Sequence, residues 1–294
     1  MSTERPPEVG LTVVVTGASS GIGLAAAEEL ARRGAKVILV GRDRSRLAGA
    51  MSRVERAATG PEPDLFRADF TRLSEVRELA TEIAAGHPRL DVLANNAGAA
   101  VRRRTSTVDG YEATLQVNHL APFLLTYLLR DRLRGGRVVN TSSDAHRMGR
   151  LDPDRLTARG GLYSTWRAYG AGKQANVLFA AEASRRWPDI LSTSFHPGVV
   201  QTRFGHGTAA AVFYKVAPFL VTPEQGADTL VWLATAPADA IVAGGYYVNR
   251  MLGTPTRQAA DPALAAHLWE TSLAACGGLG TRGGLSPGGA ADAV

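Results

Sequence analysis

Two parts of this sequence carry residue types and spacings that could do chemistry. One is the glycine-rich turn 16–23, which stands between an apolar run and a stretch with helical periodicity. Where no Cβ blocks the approach, the N–H groups and the dipole of a helix N-terminus can hold a pyrophosphate. The glycines that would provide this clearance are Gly17, Gly21 and Gly23. The other part is Tyr169 and Lys173, which lie four positions apart in a helical stretch, so their head groups share one face and could act as a unit.

The elements around the glycine turn favour a dinucleotide-binding βαβ unit. A β-branched run at 11–15 precedes the turn, a helical stretch at 24–33 follows it, and a second β-branched run occupies 36–40. A phosphate loop of the NTPase type is excluded, because Ile22 stands where that loop needs lysine. Two alternatives stay open. The Gly-x-Ser-x-Gly pattern around Ser19 also fits the nucleophile elbow of a serine hydrolase, and the turn could hold no ligand.

The rest of the chain alternates between strand and helix patterns. Further strands are expected at 64–69, 90–94, 136–140, 190–196 and 244–249, and helices at 45–54, 73–85, 109–134, 173–186, 222–234 and 262–275. This alternation predicts an α/β fold: a single doubly wound, Rossmann-type domain over 11–276, with a mostly parallel seven-stranded sheet flanked by helices. We expect a leader at 1–10 and a disordered Gly- and Ala-rich tail at 277–294.

Composition narrows the class of protein. The chain has 294 residues, a net charge of +6 and a single cysteine, which excludes a disulfide framework and suits a reducing compartment. The first residues are polar, and even the longest apolar stretch is too short to span a bilayer, so neither a signal peptide nor a membrane anchor is predicted. We therefore expect a cytoplasmic protein. The basic residues are spread along the chain, so no nucleic-acid partner is expected. No metal site is predicted, because no metal-ligand spacing relates His119, His146 and His196, for which we expect structural or surface roles.

The end of the second predicted strand bears on the choice of dinucleotide. In this type of fold an acidic residue there binds the ribose of NAD, whereas an arginine accommodates the additional phosphate of NADP. The strand ends in Gly41 and Arg42, so NADP(H) is favoured over NAD(H). Asp43 follows immediately, and we expect it to cap the next helix.

Five motifs carry a family resemblance, and they occur in the family's order. They are Thr-Gly-x-x-x-Gly-Ile-Gly at 16–23, Asn-Asn-Ala-Gly at 95–98, Ser143, Tyr-x-x-x-Lys at 169–173, and Pro197-Gly198 with Thr202. Over 11–249 the chain therefore resembles the short-chain dehydrogenase/reductase family. The 26-position separation of Ser143 from Tyr169, with the segments 138–146 and 173–179, is similar to the branch of retinol dehydrogenases and WW-domain-containing oxidoreductases. The membrane anchor common among retinol dehydrogenases is missing, which argues against a retinoid substrate.

The resemblance implies an oxidoreductase with a four-residue catalytic site. Tyr169 would be the general acid in carbonyl reduction and the base in alcohol oxidation, and Lys173 would stabilise its phenolate, because a free tyrosine titrates near ~10. Ser143 would donate a hydrogen bond to the substrate oxygen, and Asn118 would hold a water that links Lys173 to solvent. Three alternatives stay open: Ser142 could supply the hydroxyl, Asn118 could only join structural elements, and Tyr169 and Lys173 could be an ordinary helix pair.

The same resemblance implies a nicotinamide cofactor that carries the hydride, delivered from its B face. Expected cofactor contacts, besides Tyr169 and Lys173, are Gly17, Ser19, Ser20, Gly21, Ile22, Gly23, Arg42, Asp69, Asn95, Val200 and Thr202. Asp69 would contact the adenine, with a helix cap as the alternative, and Val200 would offer backbone groups to the nicotinamide amide.

The segment 202–222 corresponds to the family's substrate lid, and its apolar content predicts a lipophilic carbonyl or alcohol as substrate. The sequence thus predicts an NADP(H)-dependent oxidoreductase of a lipophilic small molecule. A non-catalytic dinucleotide-binding regulator is the alternative, and a serine hydrolase is a weaker one. Homo-oligomers are common in the family, and no residue here indicates one.

Overall fold

The computed structural model describes residues 10–157, 162–200 and 220–277. The cofactor contact predicted at Thr202, most of the predicted lid at 202–222 and nearly all of the predicted leader and tail lie outside these described residues. Within them the chain forms one sheet with helices on both faces, which confirms the predicted α/β, doubly wound fold.

The sheet has its strands in the order β3-β2-β1-β4-β5-β6-β7-β8. The strands are β1 Thr12–Thr16, β2 Lys36–Gly41, β3 Asp64–Arg67, β4 Val92–Asn95, β5 Arg137–Thr141, β6 Leu191–His196, β7 Tyr246–Val248 and β8 Met251–Leu252. The pairs from β3 through β7 are all parallel, so these strands end at the same edge of the sheet.

The expected strand count of seven is wrong by one, because a two-residue strand follows β7. Strand β8 pairs with β7 in the antiparallel direction through the register Val248↔Met251. The turn between them consists of Asn249 and Arg250, both of which have positive φ, at 49° and 63°. Two central residues of positive φ are typical of a type I′ hairpin turn, for which Asn-Gly is the usual sequence signal. Because arginine stands at the second position instead of glycine, the sequence did not predict this hairpin.

The described helices are bounded as α1 Gly21–Arg32, α2 Arg44–Ala57, α3 Leu73–Gly86, α4 Ala113–Leu115, α5 Ala121–Leu129, α6 Thr165–Arg186, α7 Pro223–Thr235 and α8 Pro262–Ala275. The single helix expected at 109–134 is wrong. Residues 109–112 are not helical, because Tyr111 forms a bridge with Thr157 and Glu112 one with Ser106. A π-helical stretch, Gln116–Leu120, then separates α4 from α5.

The hydrophobic core lies on both faces of the sheet. Along β1 the side chains alternate: Val13 and Val15 pack with α1, α2 and α7, whereas Val14 packs on the opposite side with α3, α5, α6 and α8. All three valines are fully buried. Packing on both faces fixes the ends of the parallel strands, where the predicted site residues are clustered.

Candidate active site

The glycine turn follows β1 and packs against the backbone and side chains that follow β4. Gly17 has a φ of +70°, a conformation that favours glycine, and the chain turns here from β1 toward α1. A Cβ at Gly23 would lie 2.5 Å from Asn96 Nδ2 and 2.5 Å from the Gly17 carbonyl oxygen. The space that glycine saves here is therefore taken up by the protein itself, and this close packing fixes the path of the turn.

Helix α1 begins with its N-terminus uncapped by side chains. Its N-cap residue, Ser20, makes no capping hydrogen bond, and its first turn contains no acidic residue. By contrast, the Asp43 carboxylate accepts a hydrogen bond from Arg46 N at the start of α2, which confirms the predicted cap. The first N–H groups of α1 are thus left open to an anion, and this arrangement fits a bound pyrophosphate.

Asn95 and Asn96, at the end of β4, have different surroundings, and the sequence did not predict the contacts of Asn96. Asn95 is buried, and its Nδ2 donates to Thr126 Oγ1 and to Asn140 Oδ1, within the interior. Asn96 instead faces the glycine turn: its N–H donates to Thr16 Oγ1 and its Nδ2 donates to the Thr16 carbonyl oxygen. A cofactor contact by Asn95 remains a prediction, whereas Asn96 visibly holds the turn. Two adjacent asparagines were the available signal, and the alternation of a strand end separates them.

The residues expected to bind the adenosine part of a dinucleotide follow β2 and β3. Arg42 is exposed, and its carbonyl oxygen accepts a hydrogen bond from Arg67 Nε, so both arginines lie at this edge of the sheet. Asp69 is half-buried, and its Oδ1 accepts bonds from the N–H and the hydroxyl of Thr71. The N-cap of α3 is Arg72, so the alternative that Asp69 only caps this helix is wrong.

Lys173 is the most unusual charged residue of the site. Its side chain lies within α6, is 3% exposed, and donates from Nζ to the Thr141 carbonyl oxygen at the end of β5 over 3.0 Å. Nζ also lies 5.5 Å from the centroid of the Tyr169 ring, so the structure brings the two residues together as predicted. Burial lowers the pKa of Lys173 from 10.5 to about 7. Perturbed groups of this kind are concentrated at functional sites.

Asn118 lies beside this lysine, in the π-helical stretch. Its Nδ2 donates to the carbonyl oxygens of Ala99 and Thr114, while its buried Oδ1 has no hydrogen-bond partner among the described residues. A Cβ placed on Gly98 would lie 2.7 Å from Asn118 Oδ1 and 3.1 Å from Lys173 Nζ. Both polar atoms therefore approach the same point beside Gly98, which places Asn118 next to Lys173. π-Helical turns are frequent at functional sites.

The two candidate hydroxyls after β5 differ in their surroundings. Ser142 is buried, and its hydroxyl donates to the Lys173 carbonyl oxygen over 2.8 Å. Ser143 is half-buried, and its Oγ accepts a hydrogen bond from Ala145 N over 3.1 Å, which leaves its own proton available to a ligand. This difference supports Ser143 over Ser142 as the group that meets substrate.

Four other residues that the sequence analysis considered are placed as follows. Val200 is buried and forms a bridge with Val221, which joins the two ends of the segment that lies outside the described residues. His119 is buried in an aromatic cluster 2.9 Å from Ser272 Oγ, and burial lowers its pKa to about 3, so a structural role is observed there. His146 and His196 are buried next to Ser143 rather than on the surface, a position that the sequence did not reveal.

No group of three or more His, Cys, Asp or Glu side chains in the described ranges is placed to hold a metal ion. Among the same residues, no helix has the length and hydropathy needed to cross a membrane.

Comparison with known proteins places the chain in a family. The family model described as short chain dehydrogenase matches residues 11–211. A protein of Streptomyces sp. strain C5 named "Putative daunorubicin C-13 ketoreductase DnrU" is 56% identical over 268 residues, which cover 91% of this chain and 93% of that protein. Human retinol dehydrogenase 13 is 36% identical and covers 90% of this chain, with 83% of its own length matched.

Solved structures show the same relationship. The crystal structure of an uncharacterised protein from Mycobacterium paratuberculosis superposes with a TM-score of 0.75 at 33% identity and covers 93% of this chain and 96% of its own. A short chain dehydrogenase from Shigella flexneri, solved in complex with NADP, superposes with a TM-score of 0.60 at 29% identity, over 79% of this chain and 93% of its own.

Proposed function

The chain belongs to the short-chain dehydrogenase/reductase family of oxidoreductases, and on that premise we propose that it is an NADP(H)-dependent enzyme that interconverts a carbonyl and an alcohol on a lipophilic small molecule. The observation that carries the proposal is the buried ammonium group of Lys173 beside the Tyr169 ring and Asn118. Family membership favours this oxidoreductase chemistry over a hydrolase that would use Ser19 as its nucleophile.

Each catalytic residue has one task in the reduction of a ketone. Tyr169 donates the proton of its hydroxyl to the carbonyl oxygen of the substrate, while Ser143 donates a hydrogen bond to the same oxygen. The charged form of Lys173 stabilises the phenolate that remains, because an opposite charge nearby favours the ionised phenol. Asn118 holds a water with its unpartnered Oδ1 and thereby passes a proton back toward Lys173. In alcohol oxidation the proton moves in the opposite direction.

The cofactor site fits a nicotinamide dinucleotide on the evidence of the open N-terminus of α1 and the glycine turn packed on Asn96. When bound, the nicotinamide supplies the hydride. The residues proposed to hold it are Gly17, Ser19, Ser20, Gly21, Ile22, Gly23, Asp69, Asn95, Tyr169, Lys173, Val200 and Thr202. Arg42 is proposed to meet the additional phosphate of NADP, because it is exposed at the end of β2. The NADP complex of the Shigella structure supports this choice.

A lipophilic substrate is supported by two exposed apolar side chains near Tyr169. Gly149 packs directly on Gly170 of α6, so Met148 lies next to the turn of helix that carries Tyr169. Met148 is 53% exposed and Trp166 is 40% exposed, and the Trp166 ring lies 6.3 Å from that of Tyr169 in an edge-to-face arrangement. The Streptomyces relative is named as a daunorubicin C-13 ketoreductase, which supports a ketone as the group that is reduced. We propose that the reaction takes place in the cytoplasm.

The test is a fluorescence titration with NADPH and with NADH, followed by a screen of lipophilic aromatic ketones. We expect tight binding of NADPH, weaker binding of NADH, and ketone-dependent oxidation of NADPH that Tyr169→Phe abolishes. Preference for NADH would contradict the proposed role of Arg42 but leave the rest of the proposed function standing. Binding of neither dinucleotide would contradict the proposed function.

A further inference from the structure

Two buried imidazoles lie beside Ser143, and the catalytic roles given above use neither of them. His146 belongs to a 3-10 turn, Asp144–Met148, that begins directly after Ser143, and His196 is the last residue of β6. His146 is fully buried and His196 is 8% exposed. Each of them has one contact with the backbone of residues 143 and 144, the segment that carries the Ser143 hydroxyl.

The contacts of His146 define its protonation. Its Nδ1 lies 2.7 Å from the Ser143 carbonyl oxygen, which can only accept, so Nδ1 must carry a proton. Its Nε2 accepts a hydrogen bond from the N–H of Thr256 over 3.4 Å, so this nitrogen carries none. His146 is therefore a neutral imidazole in its Nδ1–H tautomer.

The contacts of His196 define the opposite tautomer. The N–H of Asp144 donates to His196 Nδ1 over 3.2 Å, so Nδ1 carries no proton. Its Nε2 lies 3.4 Å from Asp144 Oδ2 and carries the proton toward that carboxylate. His196 is thus also neutral, and protonation would set a second N–H against the N–H of Asp144.

We propose that His146 and His196 are positioning residues for the Ser143 hydroxyl: as neutral imidazoles of opposite tautomer, they hold the Ser143 carbonyl oxygen and the Asp144 N–H, and protonation of His196 misplaces Ser143. The inference rests on the proposed function, because it gives the pair a role in the same reaction. Neither imidazole touches the reacting atoms, so each acts through the peptide between Ser143 and Asp144.

The charged and titratable groups around the pair decide where it protonates. Asp144, Arg147 and Tyr246 face it: Tyr246 donates to Asp144 Oδ1 over 3.2 Å, Arg147 Nε lies 3.6 Å from the same oxygen, and the His146 and Tyr246 rings are 5.0 Å apart. Burial lowers the pKa of both histidines, and Arg147 lowers both further. The bond to the Ser143 carbonyl oxygen opposes this for His146, and Asp144 opposes it for both histidines. Burial and Asp144 raise the pKa of Tyr246, which stays a donor. The neutral pair therefore predominates at neutral pH.

The first test is the pH profile of kcat with matched variants. In His196→Asn the amide oxygen can accept in place of Nδ1, and in His146→Asn the amide nitrogen can donate in place of Nδ1. Asparagine cannot ionise in either variant. We expect wild-type kcat to fall on acidification with an inflection below the ordinary imidazole value of 6.5. The double variant His146→Asn/His196→Asn should keep kcat within about threefold at neutral pH and lose that inflection. His196→Phe, which lacks an acceptor, should lower kcat by about 10- to 100-fold with little change in KM for NADPH.

The control is His267→Asn, because His267 is exposed and pairs with Asp154 away from Ser143. Its profile should equal that of the wild type. An inflection that persists unchanged in the double variant would overturn the proposal.

A second measurement does not depend on activity. Long-range ¹H–¹⁵N NMR of the imidazole rings in the free protein should show His146 as the Nδ1–H tautomer and His196 as the Nε2–H tautomer at neutral pH. The same tautomer for both rings, or a charged ring, would overturn the inference. If the wild type reduced no carbonyl, the proposed function would fail, and the NMR result would still decide the arrangement of the pair.

Discussion

The glycine turn and the polar cluster around Lys173 lie at the same edge of the sheet, but they differ in how closely their atoms pack and in whether their buried polar groups have partners. In the turn, the Gly17 and Gly23 backbones meet Asn96 closely, and Asn96 is bonded to Thr16. In the cluster, a buried ammonium group and Asn118 Oδ1 approach the same point beside Gly98. The turn is closely packed and exposes only backbone N–H groups to a ligand, whereas the cluster contains a buried charge and a buried oxygen without a partner among the described residues.

The difference indicates that the two regions respond differently to substitution. Changes in the turn should cost both stability and cofactor affinity, because the same close packing supports both. Changes in the cluster should cost activity while stability is kept or increased, because buried charge without full compensation destabilises a fold. The variants below test this contrast, from the largest expected effect to the smallest.

Tyr169→Phe should have the largest effect on activity. The substitution removes the only atom proposed to give the proton to substrate, so we expect kcat to fall about 10³-fold or more. Affinity for NADPH should fall much less than kcat, because the ring keeps its contact with Trp166 and the other residues proposed to hold the cofactor are unchanged. Steady-state kinetics and a fluorescence titration measure the two quantities. A kcat within tenfold of the wild type would remove Tyr169 from the chemistry.

Lys173→Met should reduce kcat by about 10²-fold or more and yet stabilise the protein. The folded-state pKa of about 7 lies below the unfolded value, so folding with a charged Lys173 carries a penalty that is complete below about pH 7 and disappears as pH rises toward 10.5. The Thr141 carbonyl oxygen keeps its bond from Asn176 Nδ2 in the variant.

We therefore expect the thermal midpoint of Lys173→Met to rise by several degrees at pH 6 and by less at pH 9. Lys36→Met, at a partly exposed lysine that pairs with Asp64, is the control and should show no such gain. A lower midpoint for Lys173→Met at pH 6 would refute the contrast.

Gly23→Ala should weaken binding of NADPH by about 10- to 100-fold and destabilise the fold by about 1–3 kcal/mol. The reason is that a Cβ there would lie 2.5 Å from both Asn96 Nδ2 and the Gly17 carbonyl oxygen. Gly49→Ala is the matched control: Gly49 is within α2, nothing lies within 4 Å of a Cβ there, and the change should stabilise by about 0.5–1 kcal/mol. Calorimetry and titration with NADPH measure both. Equal behaviour of the two variants would contradict the packing argument.

Arg42→Ala should weaken NADPH binding by about tenfold and leave NADH binding unchanged, because the guanidinium is proposed to meet only the phosphate that distinguishes them. Arg89→Ala, at the opposite end of the sheet before β4, is the control. Parallel loss of affinity for both dinucleotides would assign Arg42 a general electrostatic role instead.

Asp43→Ala should have the smallest effect, a fall of a few degrees in the thermal midpoint without loss of cofactor affinity. The carboxylate caps α2 through Arg46 N, and the helix loses that bond. Differential scanning calorimetry measures it. A loss of NADPH affinity equal to that of Arg42→Ala would mean that Asp43 belongs to the cofactor site.

The sequence predicted what local patterns determine. The glycine turn, the parallel strands, the cap at Asp43 and the approach of Tyr169 to Lys173 follow from short-range periodicity and spacing. The hairpin at Asn249 and Arg250 was missed, because arginine rarely takes a positive φ. The break of the helix at 109–112 depends on a bridge to Thr157, which no local pattern reveals. Likewise, the burial of His146 and His196 beside Ser143 arises from segments more than fifty positions apart.

The central claim is tested most directly by following the hydride itself. The purified protein is incubated with an aromatic ketone and NADPH that carries deuterium on the B face of C4, and the alcohol is analysed by mass spectrometry. We predict deuterium in the alcohol formed by the wild type and no alcohol from Tyr169→Phe in the same time. Alcohol without deuterium, or equal product from the Tyr169→Phe variant, would contradict the account.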